Sequence, residues 1–264
     1  MKVGFIGLGN MATAILGGML KNKVVTKEDV IGSDPKEEAR KKVEETFDIQ
    51  TTDSNKDVVN KANIVILAVK PGILANVIAQ IHEEDISDTL FISIAAGKSI
   101  AWIEEQFGKK ISLVRFMPNT PALVGAGCTA VCGNGYASKE DLENALFIAK
   151  SFGTAEVVDE KLMDTISAVS SCSPAYVFMM IEAMADAGVK GGMPRDQAYR
   201  FASQAVMGSA RLVLESGKHP AELKDMVCSP GGTTIEGVSV LEKDGFRAAL
   251  MDAIDASIEK AKKL

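Results

Sequence analysis

Histidine is nearly absent: His82 and His219 are the only two in 264 residues. That scarcity argues against a histidine-built metal centre and leaves a histidine general base two candidates. His82 stands beside Glu83, Glu84 and Asp85, as at a solvated helix end, and His219 precedes Pro220 at a helix start, so both read as structural. The four cysteines, Cys128, Cys132, Cys172 and Cys228, form no Cys-x-x-Cys pair and are too sparse for a secreted disulfide scaffold, which points to a reducing cytoplasm. No apolar run reads as long enough to cross a bilayer, so no membrane partner is expected. Long basic runs are missing too, and 29 Lys and Arg against 35 Asp and Glu give a net charge of -6, so a nucleic-acid partner is not expected. Nothing repeats at a fixed period.

What is present is an ordinary globular composition, 47% hydrophobic and 24% charged, with length enough for two modest domains. The chain opens on Val3, Phe5 and Ile6, a short apolar run typical of a buried strand. Gly7-Leu8-Gly9-Asn10-Met11-Ala12 follows at once, and Ala14, Ile15, Met19 and Leu20 continue at helical spacing. In this strand, glycine turn and helix, Gly7 permits the tight turn, Gly9 lets the backbone approach a pyrophosphate and Ala12 keeps helix and strand close. A secretory signal is the competing reading, but Asn10 and several glycines interrupt the apolar stretch.

A second strand, Val30-Ile31-Gly32, ends at Ser33-Asp34-Pro35. An acidic residue there favours the free ribose hydroxyls of NAD, whereas hydroxyl or basic residues suit the phosphate of NADP. Ser33, Asp34, Lys36 and Arg40 divide the evidence. The runs at 63–69, 90–94 and 111–116 read as strands buried on both faces. They deliver Lys70-Pro71, Ala95-Ala96-Gly97 and Asn119 to one edge. Edge strands are expected at 128–131 and 155–158, with Cys128 and Cys132 packing as small apolar residues and a helix over 138–152 between the strands.

The pattern changes near Asp159. The expectation is an α/β chain, a Rossmann-type dinucleotide-binding domain over residues 1–159 followed by a smaller all-α dimerisation domain over 160–264. Ser173 reads as an N-cap, Pro174 as the first helical residue and Gly188 as the stop; a second helix runs from Arg195 to about Ser216, with Gly217 ending it. Helices this apolar in so small a domain call for a second subunit. The loop from Ser229 through Pro230, Gly231 and Gly232 to Thr233 and Thr234 offers N–H groups and hydroxyls to an anion, and a last helix covers about 246–262.

Seven blocks then carry a resemblance: FIGLGNMA, LAVKP, SIAAG, RFMPNTP, SSCSPAYVF, EAMADAGVKGGMPR and DMVCSPGGTTIEG, in this order and spacing. The chain resembles the pyrroline-5-carboxylate reductase family, which makes proline by reducing a cyclic imine with a nicotinamide cofactor. The resemblance implies cofactor contacts from Gly7, Leu8, Gly9, Asn10 and Met11, from Ser33 and Asn55, from Ala68, Val69, Lys70 and Pro71, and from Ala95, Ala96 and Gly97. It places Asn119 near the nicotinamide. Val227, Ser229, Gly231, Gly232, Thr233 and Thr234 would bind the substrate, with Ser229 and Thr234 closest to the chemistry and no metal involved. NADPH is the implied cofactor with NADH as the alternative, and the implied assembly is a homodimer built into a larger homo-oligomer. Where the family often reads SGSGPAY, this chain reads SSCSPAY around Cys172. A 3-hydroxyacid dehydrogenase is disfavoured because its catalytic lysine has no counterpart between Lys161 and Lys190. A protein that binds NAD(P)H without turnover is the non-enzymatic alternative.

Overall fold

The near-continuous apolar runs become strands covered on both faces. In a computed structural model, which describes residues 1–263, every residue of β1 (Val3–Ile6), β2 (Val30–Ser33), β4 (Ile64–Leu67) and β5 (Leu90–Ser93) is buried. With β3 (Gln50–Thr52), β6 (Ser112–Met117), β7 (Gly127–Gly133) and β8 (Gly153–Val157) they form one sheet ordered β3-β2-β1-β4-β5-β6-β7-β8. Only the β6/β7 pairing is antiparallel.

Alternate residues of each strand feed opposite faces. Val3, Phe5, Ile64 and Ile66 join a cluster with Ile15, Leu16, Met19 and Phe152; Ile6, Val65 and Leu67 join another with Ile78, Phe91 and Phe107. Helices α1 (Asn10–Lys21), α2 (Glu37–Phe47), α3 (Asn55–Lys61), α4 (Leu74–Ile81), α5 (Ile100–Phe107) and α6 (Lys139–Lys150) are the connections. Three start on serine caps: Ser54, Ser99 and Ser138, the last in a reciprocal pair with Asp141. The order 3-2-1-4-5-6 is that of a Rossmann sheet, with its crevice at the carboxyl ends of β1 and β4, where the chain's direction across the sheet reverses.

Two compact units result, one of residues 1–172 with 257–263, the other of Ser173–Ala256. No strand follows Val157 among the described residues. Beyond it come α7 (Met163–Ile166), a π-helical turn (Ser167–Cys172), α8 (Ser173–Lys190), α9 (Arg195–Ser216), α10 (Pro220–Val227), α11 (Thr233–Lys243) and α12 (Phe246–Ala261).

Four expectations are corrected here. Ser173 is no N-cap and Gly188 no stop, because helix runs unbroken from Glu160 to Lys190. Pro174 is accommodated by the π turn before it, which widens the helix where proline would otherwise interrupt it. Gly188 instead faces α9, where an added Cβ would lie 3.4 Å from Ala198 Cβ. Because the helix is continuous, it is 31 residues long and, by length and composition alone, apolar enough to cross a bilayer. Finally, Cys128 is exposed at the start of β7, while Cys132 is buried further along it.

Burial pushes the Cys132 thiol from 9.0 up to about 11, against the opposing pull of nearby Arg115. The stability from burying this neutral thiol is complete below pH 9.0 and is lost as pH rises toward about 11. Thiol labelling of the native chain at about pH 8 is expected to reach Cys128 and to spare Cys132 until the chain is denatured. Equal labelling rates for the two would contradict this placement.

Candidate active site

The turn after β1 is held from three sides. Gly7 N–H donates to Ser33 O at 2.8 Å, Ala68 N–H donates to Ile6 O at 2.8 Å, and Leu8 N–H donates to the Asp34 carboxylate at 3.1 Å. Gly7 has φ +96°, and a Cβ there would lie 2.6 Å from Ala68 O, so glycine is required by conformation and by space. At Gly9 a Cβ would meet no atom within 4 Å. Gly9 is also the N-cap of α1 and supplies no capping side chain. An open surface beside an uncapped helix start suits the pyrophosphate of a dinucleotide, with Asn10 and Met11 in that first turn.

The neighbouring strands bring their termini to the same edge. Val69 and Ala68 are half-buried and Lys70 is exposed as the cap of a short turn opened by Pro71. Ala95 lies in the core beneath the sheet edge, so Ala96 and Gly97, the latter at φ +73°, are the more accessible pair of that loop. Ser33 is fully buried, and its hydroxyl donates to Asn55 Oδ1 at 2.7 Å; Asn55 Nδ2 donates in turn to Gln80 Oε1 at 2.7 Å. Ser33 therefore faces Asn55 rather than solvent.

Asn119, 9% exposed, uses both ends of its amide within the protein. Its Oδ1 accepts from Cys128 N–H at 2.9 Å and its Nδ2 donates to Ser170 O at 3.0 Å. Ser171 Oγ donates to Pro118 O at 2.9 Å, which fixes the π turn to the same loop.

One residue pair was not legible as part of this edge. Glu160 Oε1 accepts from Ile100 N–H at 2.7 Å, at the start of α5 just beyond Gly97, and pairs with Arg115, which is 5% exposed. The available signal was a charged residue inside the apolar strand Ser112–Met117.

In the second unit Cys228, Ser229 and Pro230 lead into Gly231, at φ +66°, and Gly232, the uncapped start of α11. Gly232 N–H donates to Ser229 O at 3.0 Å, and a Cβ on Gly232 would lie 2.3 Å from Ser229 Oγ. Thr233 and Thr234 occupy the first turn, and Ser229, Thr233, Thr234 and Val227 are all exposed. Both histidines are spent locally: His82 Nδ1 lies 2.8 Å from Ala79 O, and His219 Nδ1 accepts from Ala221 N–H at 3.2 Å as the cap of α10.

Residues 160–264 match the family model for pyrroline-5-carboxylate reductase dimerisation, and residues 2–97 match that for NADP oxidoreductase, coenzyme F420-dependent. The pyrroline-5-carboxylate reductase of Escherichia coli (strain K12) is 49% identical over 263 residues, covering 100% of this chain and 98% of that one. The chain belongs to the pyrroline-5-carboxylate reductase family. A Methanosarcina acetivorans member is 42% identical over 263 residues, 100% of this chain and 97% of its own. Among solved structures, the Plasmodium falciparum pyrroline carboxylate reductase with NADP bound is 34% identical with a TM-score of 0.89, covering 100% of this chain and 97% of that one. The 1-pyrroline-5-carboxylate reductase of Streptococcus pyogenes is 37% identical with a TM-score of 0.90, covering 100% and 99%.

Two substitutions probe the edge in this family member. Asn119→Ala strands the Cys128 N–H and removes a partner from Ser170 O, and is expected to cost about 1–3 kcal/mol in urea denaturation. Gly7→Ala forces a strained φ and a backbone clash, with an expected cost of about 1–3 kcal/mol in the same measurement. Wild-type stability in either variant would rule out the corresponding constraint.

Proposed function

We propose that the chain reduces 1-pyrroline-5-carboxylate to L-proline with NADPH, NADH serving as the alternative reductant. The observation that carries this reading is similarity along the entire chain to reductases of that name, at up to 49% identity. The open, uncapped turn at Gly9 and the glycine-threonine start of α11 support it as two anion-receiving loops.

When bound, the reduced nicotinamide supplies the hydride. The chain's own part is to hold and orient. Gly7 to Met11 receive the pyrophosphate, and Val69 to Pro71 with Ala96 and Gly97 border the rest of the dinucleotide. The N–H groups of the first turn of α11, with the hydroxyls of Thr233 and Thr234, take the substrate carboxylate, while Ser229 and Val227 line the approach and Thr234 faces the ring nitrogen. Asn119 acts through the loop it fixes. No histidine or lysine acid is required, because a protonated imine already carries the proton that a carbonyl would need from the protein. Orientation is then the larger task.

We assign residues 1–159 to the dinucleotide and 160–264 to substrate and self-association. The apolar surface of the second unit, with Phe178, Met179, Phe201 and Leu214 exposed, is what a second copy would cover. The α8 portion of the apolar Glu160–Lys190 helix belongs to that surface rather than to a membrane, since the helix lies within the match to the dimerisation family. The working form is a homodimer assembled into a larger homo-oligomer in the cytoplasm.

Following absorbance of NADPH or NADH with pyrroline-5-carboxylate tests the reaction; no oxidation with either cofactor would defeat it. Thr234→Ala is expected to cost about 1–3 kcal/mol of transition-state stabilisation, read from kcat/KM. Unchanged kcat/KM would remove Thr234 from the site.

A further inference from the structure

Arg115 is the one charged residue of β6, and it is buried, as are its apolar strand neighbours Leu113, Val114, Phe116 and Met117. It pairs with Glu160, whose side chain is more open to solvent. Replacing such a pair by apolar side chains of similar size is often neutral or stabilising, so folding alone gives no reason for the charges. What an apolar pair cannot do is accept a hydrogen bond. Glu160 Oε1 accepts from Ile100 N–H at 2.7 Å, the first helical N–H of α5. Trp102 N–H is taken by Ser99 Oγ at 3.1 Å, so the two ties together fix where α5 begins. The segment they hold is short: Gly97, at φ +73°, Lys98 and Ser99 separate Ala96 from Ile100.

Glu160 also opens the helix that grips the neighbouring loop. Further along it, Ser171 Oγ donates to Pro118 O at 2.9 Å and Ser170 O accepts from Asn119 Nδ2. Between these ends Met163 clusters with Met117, Ala130 and Cys132, and Ala96, Ile100 and Ile166 pack against that cluster. The loops after β5 and β6 are thus held to one helical stretch, residues 160–171, within the first unit. We propose that Glu160, oriented by Arg115, is a positioning residue for the reduction: its tie to Ile100 N–H fixes the Ala96–Gly97 turn where the dinucleotide is received. The proposal rests on the dinucleotide reading above and adds to it a residue that acts through another. A turn free to shift loses its fit to the cofactor, while the loop before α11, in the second unit, keeps its own geometry. The effect therefore falls on one reactant and spares the other.

The test separates the tie from the fold. Full-length wild type, Glu160→Gln, the double variant Arg115→Met with Glu160→Met, Ile100→Pro and Ile100→Ala are titrated with NADPH and NADH by cofactor fluorescence, and KM is measured for cofactor and for pyrroline-5-carboxylate. Glu160→Gln keeps a carbonyl oxygen for Ile100 N–H and is expected to bind cofactor within about threefold of wild type. The double variant strands no buried charge but leaves Ile100 N–H without its acceptor, and is expected to bind cofactor about tenfold more weakly with KM for the imine unchanged. Ile100→Pro removes the donor alone, at the first position of α5, where proline is favoured, and after Ser99, whose ψ of 160° suits a following proline. It is expected to match the double variant, whereas Ile100→Ala, which keeps the N–H, stays within about threefold of wild type. A merely structural role would reduce the amount of active enzyme, and so kcat, and leave both KM values in place. That pattern, or wild-type cofactor affinity in folded Ile100→Pro, overturns the positioning role alone. Failure of wild type to bind either dinucleotide overturns the dinucleotide reading along with it.

Discussion

The candidate cofactor edge depends on the narrow gap around the turn after β1. Three backbone N–H groups, those of Gly7, Leu8 and Ala68, each find an acceptor on an adjacent segment, and between them they draw β2 and β4 against β1. A side chain at Gly7 would collide with the Ala68 carbonyl and open this gap. The rest of the edge follows from it: the start of α1 stays uncapped beside open space at Gly9, and the ends of β2 and β4 flank that space. Buried backbone hydrogen bonds contribute modestly one at a time, yet leaving one unmade costs more than making it gains. That asymmetry keeps the turn fixed.

The two units differ in how they meet the cost of folding. The first has two extensive apolar clusters, one on each face of the sheet. In the second the buried hydrophobics are Ala185, Ala198, Ala202 and Leu223, while large side chains such as Phe178 and Met251 stay exposed. Small residues let α8 and α9 approach closely, as at Gly188 and Ala198, but they bury little area. The second unit thus has geometry without a core of its own, which is the composition expected of an element that completes itself against another surface.

Strands buried on both faces were legible because continuous apolar runs are hard to mistake at 63–69 and 90–94, and the glycine turn was legible because it follows such a run. The short strand Gln50–Thr52 gave no signal: it is polar, three residues long and at the sheet edge, held by pairing with β2 rather than by its own side chains. Local rules misplaced the start of α8, since serine before proline is a strong cap signal and the π turn that overrides it depends on tertiary contacts of Ser170 and Ser171. At the candidate site, residue types were readable while their engagements were not. Ser33 and Asn55 read in sequence as unrelated positions, yet they bond to each other, and the Glu160 carboxylate that braces Ile100 lies 60 positions away in sequence.

The amide of Asn119 holds two segments at once, accepting from the Cys128 N–H at its oxygen and donating to the Ser170 carbonyl from its nitrogen. The start of β7 and the π turn thus hang on one side chain whose two ends are chemically unlike. A carboxylate of the same shape would serve the first segment and fail the second, so this rivet works by the orientation of an amide and not by size or charge.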